Sequence, residues 1–130
     1  MVIDTSAVIA IFLNEPERKP FLDLILQAEK RFISAATVLE AGIVLEAKRG
    51  EAAGREFDLF VVRTGLEIVP VDAEQIETAR SAWRSFGKGR HAAGLNFGDC
   101  FAYALAKSLG EKLLAKGEDF RFTDVELWRE

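Results

Sequence analysis

The chain has 130 residues, of which 49% are hydrophobic and 29% charged, with a formal net charge of −4. That length fits one domain, residues 1–130, around one core, and no apolar run approaches the roughly 18 residues that cross a membrane. One cysteine (Cys100) excludes an internal disulfide, one histidine leaves a structural zinc site short of ligands, and no basic stretch precedes an apolar one as in a secretory signal, so a reducing cytoplasm is expected.

Met1, Val2 and Ile3 form a short apolar run that meets Asp4-Thr5-Ser6, the pattern of a buried strand reaching a polar turn. Thr5 or Ser6 is expected to cap a helix over residues 7–13. Asp4 then lies at the carboxyl end of the strand, where open α/β sheets bind ligands; its local alternative is a helix cap. Asn14-Glu15-Pro16 breaks the chain before a helix over residues 17–29, whose Phe21, Leu22, Leu24, Ile25 and Ala28 share one face. Residues 31–35 read as a second strand and 36–48 as a helix stopped by Gly50, with Glu40 near its first turn. A further helix over 51–63 carries Phe57, Phe60 and Val61 inward. Residues 66–71 read as a third strand, which Pro70 confines to a sheet edge or ends.

Asp72 and Gln75 form a capping box for a helix over 73–86. The stretch 87–95 is irregular and holds three of the ten glycines. Asn96 caps a helix over 97–109, ended by Gly110 and apolar almost all round, in which Asp99 is the only charge before Lys107. Residues 112–115 read as a fourth strand, followed by Glu118 and Asp119, and 125–128 as a small last strand. Helices alternating with short apolar runs predict an α/β fold with a parallel sheet.

In such a sheet Asp4, Glu40, Asp99 and Asp119 all face the carboxyl edge, and the switch point falls beside Asp4 if the fourth strand packs on the first. Each acid has a local alternative: Glu40 a solvated helix residue, Asp99 the partner of Asn96 in a cap, Asp119 or Glu118 a turn residue. Two carboxylates ~4 Å apart repel by about 4 kcal/mol at an effective dielectric near 20. A cluster therefore raises its pKa values or recruits a cation, and oxygen-only ligands select Mg²⁺ or Mn²⁺. Metal-assisted hydrolysis of a phosphodiester or another phosphate ester follows.

The same residues carry a resemblance. Val2-Ile3-Asp4-Thr5-Ser6-Ala7, the helical Glu40, the run from Leu95 through Asn96 and Asp99 to Ala106, and Leu113-Leu114-Ala115-Lys116-Gly117-Glu118-Asp119-Phe120 resemble the PIN-domain ribonucleases, and most closely the VapC toxins of bacterial toxin–antitoxin pairs. The resemblance covers essentially the whole chain. It implies a three-layer fold with strand order 3-2-1-4-5 and helices on both faces. It implies Mg²⁺- or Mn²⁺-dependent cleavage of RNA, tRNA or rRNA, that inhibits translation. It further implies a homodimer and a hetero-oligomer with a VapB-like antitoxin, which alone contacts operator DNA. Asp4, Glu40, Asp99 and Asp119 match the family's acidic quartet, both catalytic and metal-binding, and Thr5 and Asn96 match supporting polar positions. Glu118 stands where the family often has a neutral residue and is the reserve for Asp119.

A net charge of −4 taken alone disfavours a nucleic-acid partner. Four of the acids belong to the expected site, however, and Arg80, Arg84, Lys88 and Arg90 with His91 cluster just ahead of Asn96. Arg84, Lys88, Arg90 and His91 are the candidate RNA contacts. Trp83 and Phe86 could stack bases or pack in the core. Phe12, Phe21, Phe57 and Phe60 are candidates for an antitoxin or dimer surface where the core does not need them. Two other classes fit less of the pattern. An aspartyl-phosphate enzyme using Asp4 would want a second Asp where Ser6 stands, and a non-catalytic module would use the acids only to bind a metal or a partner.

Overall fold

The computed structural model describes residues 1–129. The elements run β1 (Val2–Ile3), α1 (Thr5–Phe12), α2 (Arg18–Gln27), β2 (Phe32–Ser34), α3 (Ala35–Arg49), α4 (Glu51–Arg63), β3 (Glu67–Val69), α5 (Ala73–Phe86), α6 (Phe97–Leu109) and β4 (Leu113–Leu114), then a 3₁₀ turn over Asp119–Phe122. The four strands are parallel in the order β3-β2-β1-β4, so β1 is central and β4 joins it on the side away from β2. Pro70 follows the last residue of β3, and β3 is an edge strand, as a residue without an N–H requires. The stretch 125–128 adds one bridge rather than a strand: Leu127 pairs with Leu113, held by Leu113 N–H to Glu126 O at 2.8 Å and Trp128 N–H to Leu113 O at 2.9 Å. Its position next to β4 is that of a fifth strand in the order 3-2-1-4-5.

The strands are short, and alternation across them builds two cores. Ile3, Ile33 and Leu114 point to one face and pack with Ala7, Val8 and Ile11 of α1, Leu24 and Ile25 of α2, Ala41 and Leu45 of α3, and Phe57 and Val61 of α4. Val2 and Leu113 point to the other and pack with Ala79 and Ala82 of α5 and with Cys100, Ala102 and Leu105 of α6. Helices thus cover both faces.

Three local expectations change. Helix α1 starts at Thr5, because Asp4 is itself the extended N-cap and accepts from Ser6 N–H; neither Thr5 nor Ser6 caps it. Asp72 accepts from Gln75 N–H at 2.9 Å, but the Gln75 amide donates to Pro70 O at 3.1 Å, so the box is half-formed. Phe12, Phe57 and Phe60 form edge-to-face pairs at 5.8 and 5.4 Å within the first core, and Phe21 packs against it. They pack in or against the core, and the exposed large apolar residues of the first half are Leu26, Leu39, Ile43, Leu59 and Val62.

Candidate active site

Asp4 ends β1 with its carboxylate buried, 2% exposed. Oδ2 accepts from Ser6 N–H at 2.9 Å and from the Ser6 hydroxyl at 2.7 Å. Ser6 Oγ in turn accepts from Lys116 N–H at 2.9 Å, which ties the β1–α1 turn to the chain just past β4. Oδ1 is buried and has no hydrogen-bond partner among the described residues. Burial raises the Asp4 carboxyl from 3.8 to about 7, against the two bonds from Ser6, and the charges of Asp99 and Glu40 push the same way.

Glu40 lies in the second turn of α3, and its Oε1 accepts from the Thr5 hydroxyl at 2.5 Å. Its carboxylate rests on Gly98 of α6, where a Cβ would overlap all three atoms of that group. Only glycine leaves room for this approach. Helices from opposite faces of the sheet therefore meet over its carboxyl edge at this contact.

Asn96 and Asp99 form a full capping box: Asn96 Oδ1 accepts from Asp99 N–H at 2.9 Å, and Asp99 Oδ2 from Asn96 N–H at 3.0 Å. Burial raises the Asp99 carboxyl, opposed by the Asn96 backbone bond and supported by the charges of Asp119 and Glu40. Asp119 opens the 3₁₀ turn and is exposed. Glu118 is exposed and ion-paired to Arg121 at 2.8 Å, which holds its carboxyl below the usual range.

Asp4, Glu40 and Asp99 thus lie within electrostatic reach of one another near the β1/β4 switch point, and Asp119 joins them through Asp99. They do not close on one another: among the described residues no three His, Cys, Asp or Glu side chains stand ready to hold a metal ion. Glu40 is engaged by Thr5, and one oxygen of Asp99 by the cap. The chemistry of the set nevertheless fits a hard divalent cation. Its donors are oxygens only, and Asp4 Oδ1 is a buried carboxylate oxygen that no hydrogen bond satisfies among the described residues. Sequence reasoning missed two supports, the Ser6 clamp on Asp4 and the Gly98 cradle for Glu40. The Asp-x-Ser spacing signals the first.

The basic stretch divides. Arg80, Arg84 and Lys88 line a groove of about 680 Å³ between α5 and α6, with Trp83, Phe97 and Phe101. The Arg90 guanidinium lies 4.6 Å above the Trp83 ring centre. His91 Nδ1 accepts from Ala93 N–H at 3.0 Å, and its ring sits edge-on to Phe86 at 5.2 Å. Trp83 is 45% exposed, whereas Phe86 packs against the second core and lies 6.0 Å from Tyr103. The two aromatics thus part, one to the surface and one to packing.

A parallel sheet in this order, with acids gathered at its switch point, is the architecture of one nuclease class, and the chain belongs to the PIN-domain family, whose model matches residues 1–126. Its similar proteins are VapC ribonucleases. Ribonuclease VapC of Mycolicibacterium smegmatis is 52% identical over 125 residues, 96% of this chain and 97% of that one. Ribonuclease VapC30 of Mycobacterium tuberculosis is 50% identical over 125 residues, 96% and 95% of the two chains. Among solved structures, Mycobacterium tuberculosis VapC20, described as a Sarcin-Ricin loop cleaving toxin, superposes with a TM-score of 0.80 at 18% identity over 99% of this chain and 98% of that one. VapBC2 of Rickettsia felis, bound to a DNA fragment from its promoter, gives 0.75 at 16% identity over 98% of both. At those identities the two structures establish the fold. Among the described residues no helix is long and apolar enough to cross a membrane.

Proposed function

We propose that this chain is the toxin of a toxin–antitoxin pair, an endoribonuclease that depends on Mg²⁺ or Mn²⁺ and cleaves tRNA or rRNA. The observation that carries the reading is the buried Oδ1 of Asp4, without a hydrogen-bond partner among the described residues and under the charges of Asp99 and Glu40. Asp4 and Asp99 are the principal ligands, and Glu40 and Asp119 complete the set. When bound, the ion supplies a polarised water and positive charge against the phosphate. The chain's own groups do the remaining work. Ser6 fixes the Asp4 carboxylate through two hydrogen bonds to Oδ2, which leaves the buried Oδ1 for the ion. Thr5 and Gly98 hold Glu40, and Asn96 anchors Asp99. Hydrolysis adds water across one P–O bond, leaving one phosphate end and one hydroxyl end. Lys88, Arg90 and His91 on the loop before α6 receive the flanking phosphates, with Arg84 at its edge. The curated relatives are named as VapC ribonucleases, and solved neighbours include VapBC complexes, which supports a VapB-like antitoxin partner.

The test is to induce the wild type and Asp99→Asn in a bacterial host lacking the antitoxin and to map new RNA ends. Growth arrest with discrete new ends, both absent for the variant, is expected. A folded wild-type protein that yields neither would transfer the acids to a non-catalytic metal- or partner-binding role.

A further inference from the structure

Three of the four acids are held directly: Asp4 by Ser6, Glu40 by Thr5 and Asp99 by Asn96. Asp119 has no such clamp: among the described residues no hydrogen bond or ion pair engages its carboxylate. Its place is set by the strap that presents it, residues 116–125. At the start of the strap Lys116 N–H donates to Ser6 Oγ at 2.9 Å, and Lys116 Nζ pairs with Glu15 at 3.2 Å and Glu17 at 3.4 Å. Phe120 and Val125 are buried in the second core. Near the far end, the Tyr103 hydroxyl donates to Asp124 Oδ1 at 2.5 Å and Lys107 Nζ donates to Oδ2 at 3.2 Å. Asp99, Tyr103 and Lys107 are spaced by four, so they share one stripe of α6. The strap therefore follows that stripe: the charge of Asp119 is felt at Asp99, and Asp124 is fixed one and two turns further along.

On the metal-dependent reading above, we propose that Tyr103, aided by Lys107, is a positioning residue for the acid site: by holding Asp124 it sets the register of the strap on α6, and so the place of Asp119 against Asp99 when a divalent cation binds. Burial of Phe120 and Val125 does not set that register alone, because apolar contact has no direction. A hydrogen bond does, and one to a carboxylate is stronger than one between neutral groups. Tyr103 is 6% exposed, so little water competes for its hydroxyl. Burial raises the pKa of that hydroxyl, and the Asp124 carboxylate raises it further, so it stays a donor through neutral and mildly alkaline pH. Lys107 adds less, because its pair with Asp124 is open to solvent. A staple that merely fastened the end of the chain to α6 would act on stability and would not act through Asp119.

The test reads metal binding, not cleavage. The whole chain is titrated with Mn²⁺ alone, and the free ion is counted by electron paramagnetic resonance. Tyr103→Phe, which keeps the ring in the second core, should raise the Mn²⁺ dissociation constant about tenfold, as loss of a ligand's supporting partner commonly does. Asp124→Ala, at an exposed position, should match it, and the two together should be no worse than either alone. Asp119→Asn should itself weaken binding, and in that background Tyr103→Phe should change the constant less than about twofold. Circular dichroism in EDTA checks that each variant is folded. Wild-type affinity in folded Tyr103→Phe or Asp124→Ala, or an equal loss with and without Asp119, would overturn the proposal and leave Tyr103 a staple of the fold. A wild type that binds no Mn²⁺, or whose affinity Asp119→Asn leaves unchanged, would instead overturn the metal-site reading itself, and the proposal with it.

Discussion

Replacing Asp4 with asparagine should make the protein more stable at neutral and alkaline pH while ending its activity. Asp4 is raised from its ordinary 3.8 to about 7, chiefly by burial. At about 1.4 kcal/mol for each tenfold change, holding that carboxylate ionised costs about 4 kcal/mol. The sign follows from proton counts. Between 3.8 and about 7 the folded state binds more protons at Asp4 than the unfolded state does, so stability falls as pH rises through that window and levels off above it. Asparagine keeps an oxygen to accept from Ser6 N–H, but it brings amide hydrogens that are costly if unpaired, about 1–3 kcal/mol. The net gain near pH 8 is then about 2 kcal/mol, or roughly 6 °C in melting temperature for a domain of this size. Near pH 4, where Asp4 is mostly protonated when folded, the gain should vanish. The assay is denaturant unfolding of both proteins in EDTA at the two pH values. Adding Mn²⁺ at a hundredfold excess over its dissociation constant should then stabilise the wild type by about 2.7 kcal/mol and leave Asp4→Asn unmoved. A variant less stable than the wild type near pH 8 in EDTA, or a difference that does not change with pH, would refute the reasoning.

Three further outcomes test the site. Gly98→Ala should lower kcat/KM at least tenfold with its melting temperature nearly kept, because the added methyl displaces the Glu40 carboxylate; unchanged steady-state kinetics would deny Glu40 a role. Glu118→Gln should change cleavage less than about twofold and Asp119→Asn more than about tenfold, since Glu118 is taken by Arg121 while the charge of Asp119 reaches Asp99. Phe57→Ala should cost about 3–5 kcal/mol in chemical denaturation, as expected for a buried aromatic at the centre of the first core, and a loss under 1 kcal/mol would contradict that placement.

Periodicity carried most of the fold. The helices over 51–63, 73–86 and 97–109 appear with the bounds their caps and stops suggested, because Gly50, Asp72, Asn96 and Gly110 are local signals that need no tertiary context. Crossover rules put the second and third strands to one side of the first and left the place of the fourth open; the full order came with the family resemblance. What failed to show depends on residues far apart in sequence. Nothing in a linear reading tells that Thr5 holds Glu40, that Gly98 makes room for it, or that Lys116 N–H reaches Ser6. The inward reading of Phe57 and Phe60 holds, but the place of Phe12 shows only in three dimensions: it is partly buried where α4 lays Phe57 and Phe60 against it. At Asp4 and Asp99 the two readings of each residue prove compatible. Each caps a helix with one oxygen, and the cap fixes the carboxylate at the sheet edge.

The contact between Glu40 and Gly98 also sets a timetable. Asp4 and Glu40 leave the ribosome early, whereas Asp99 and Asp119 lie in the last third of the chain. Until α6 folds, Glu40 has no Gly98 to rest on and the second core has no wall. An interrupted product that stops short of α6 carries half of the acids and no crevice to gather them. On the proposed assignment of the four acids, the set is complete only when α6 and the turn after β4 have been made and folded.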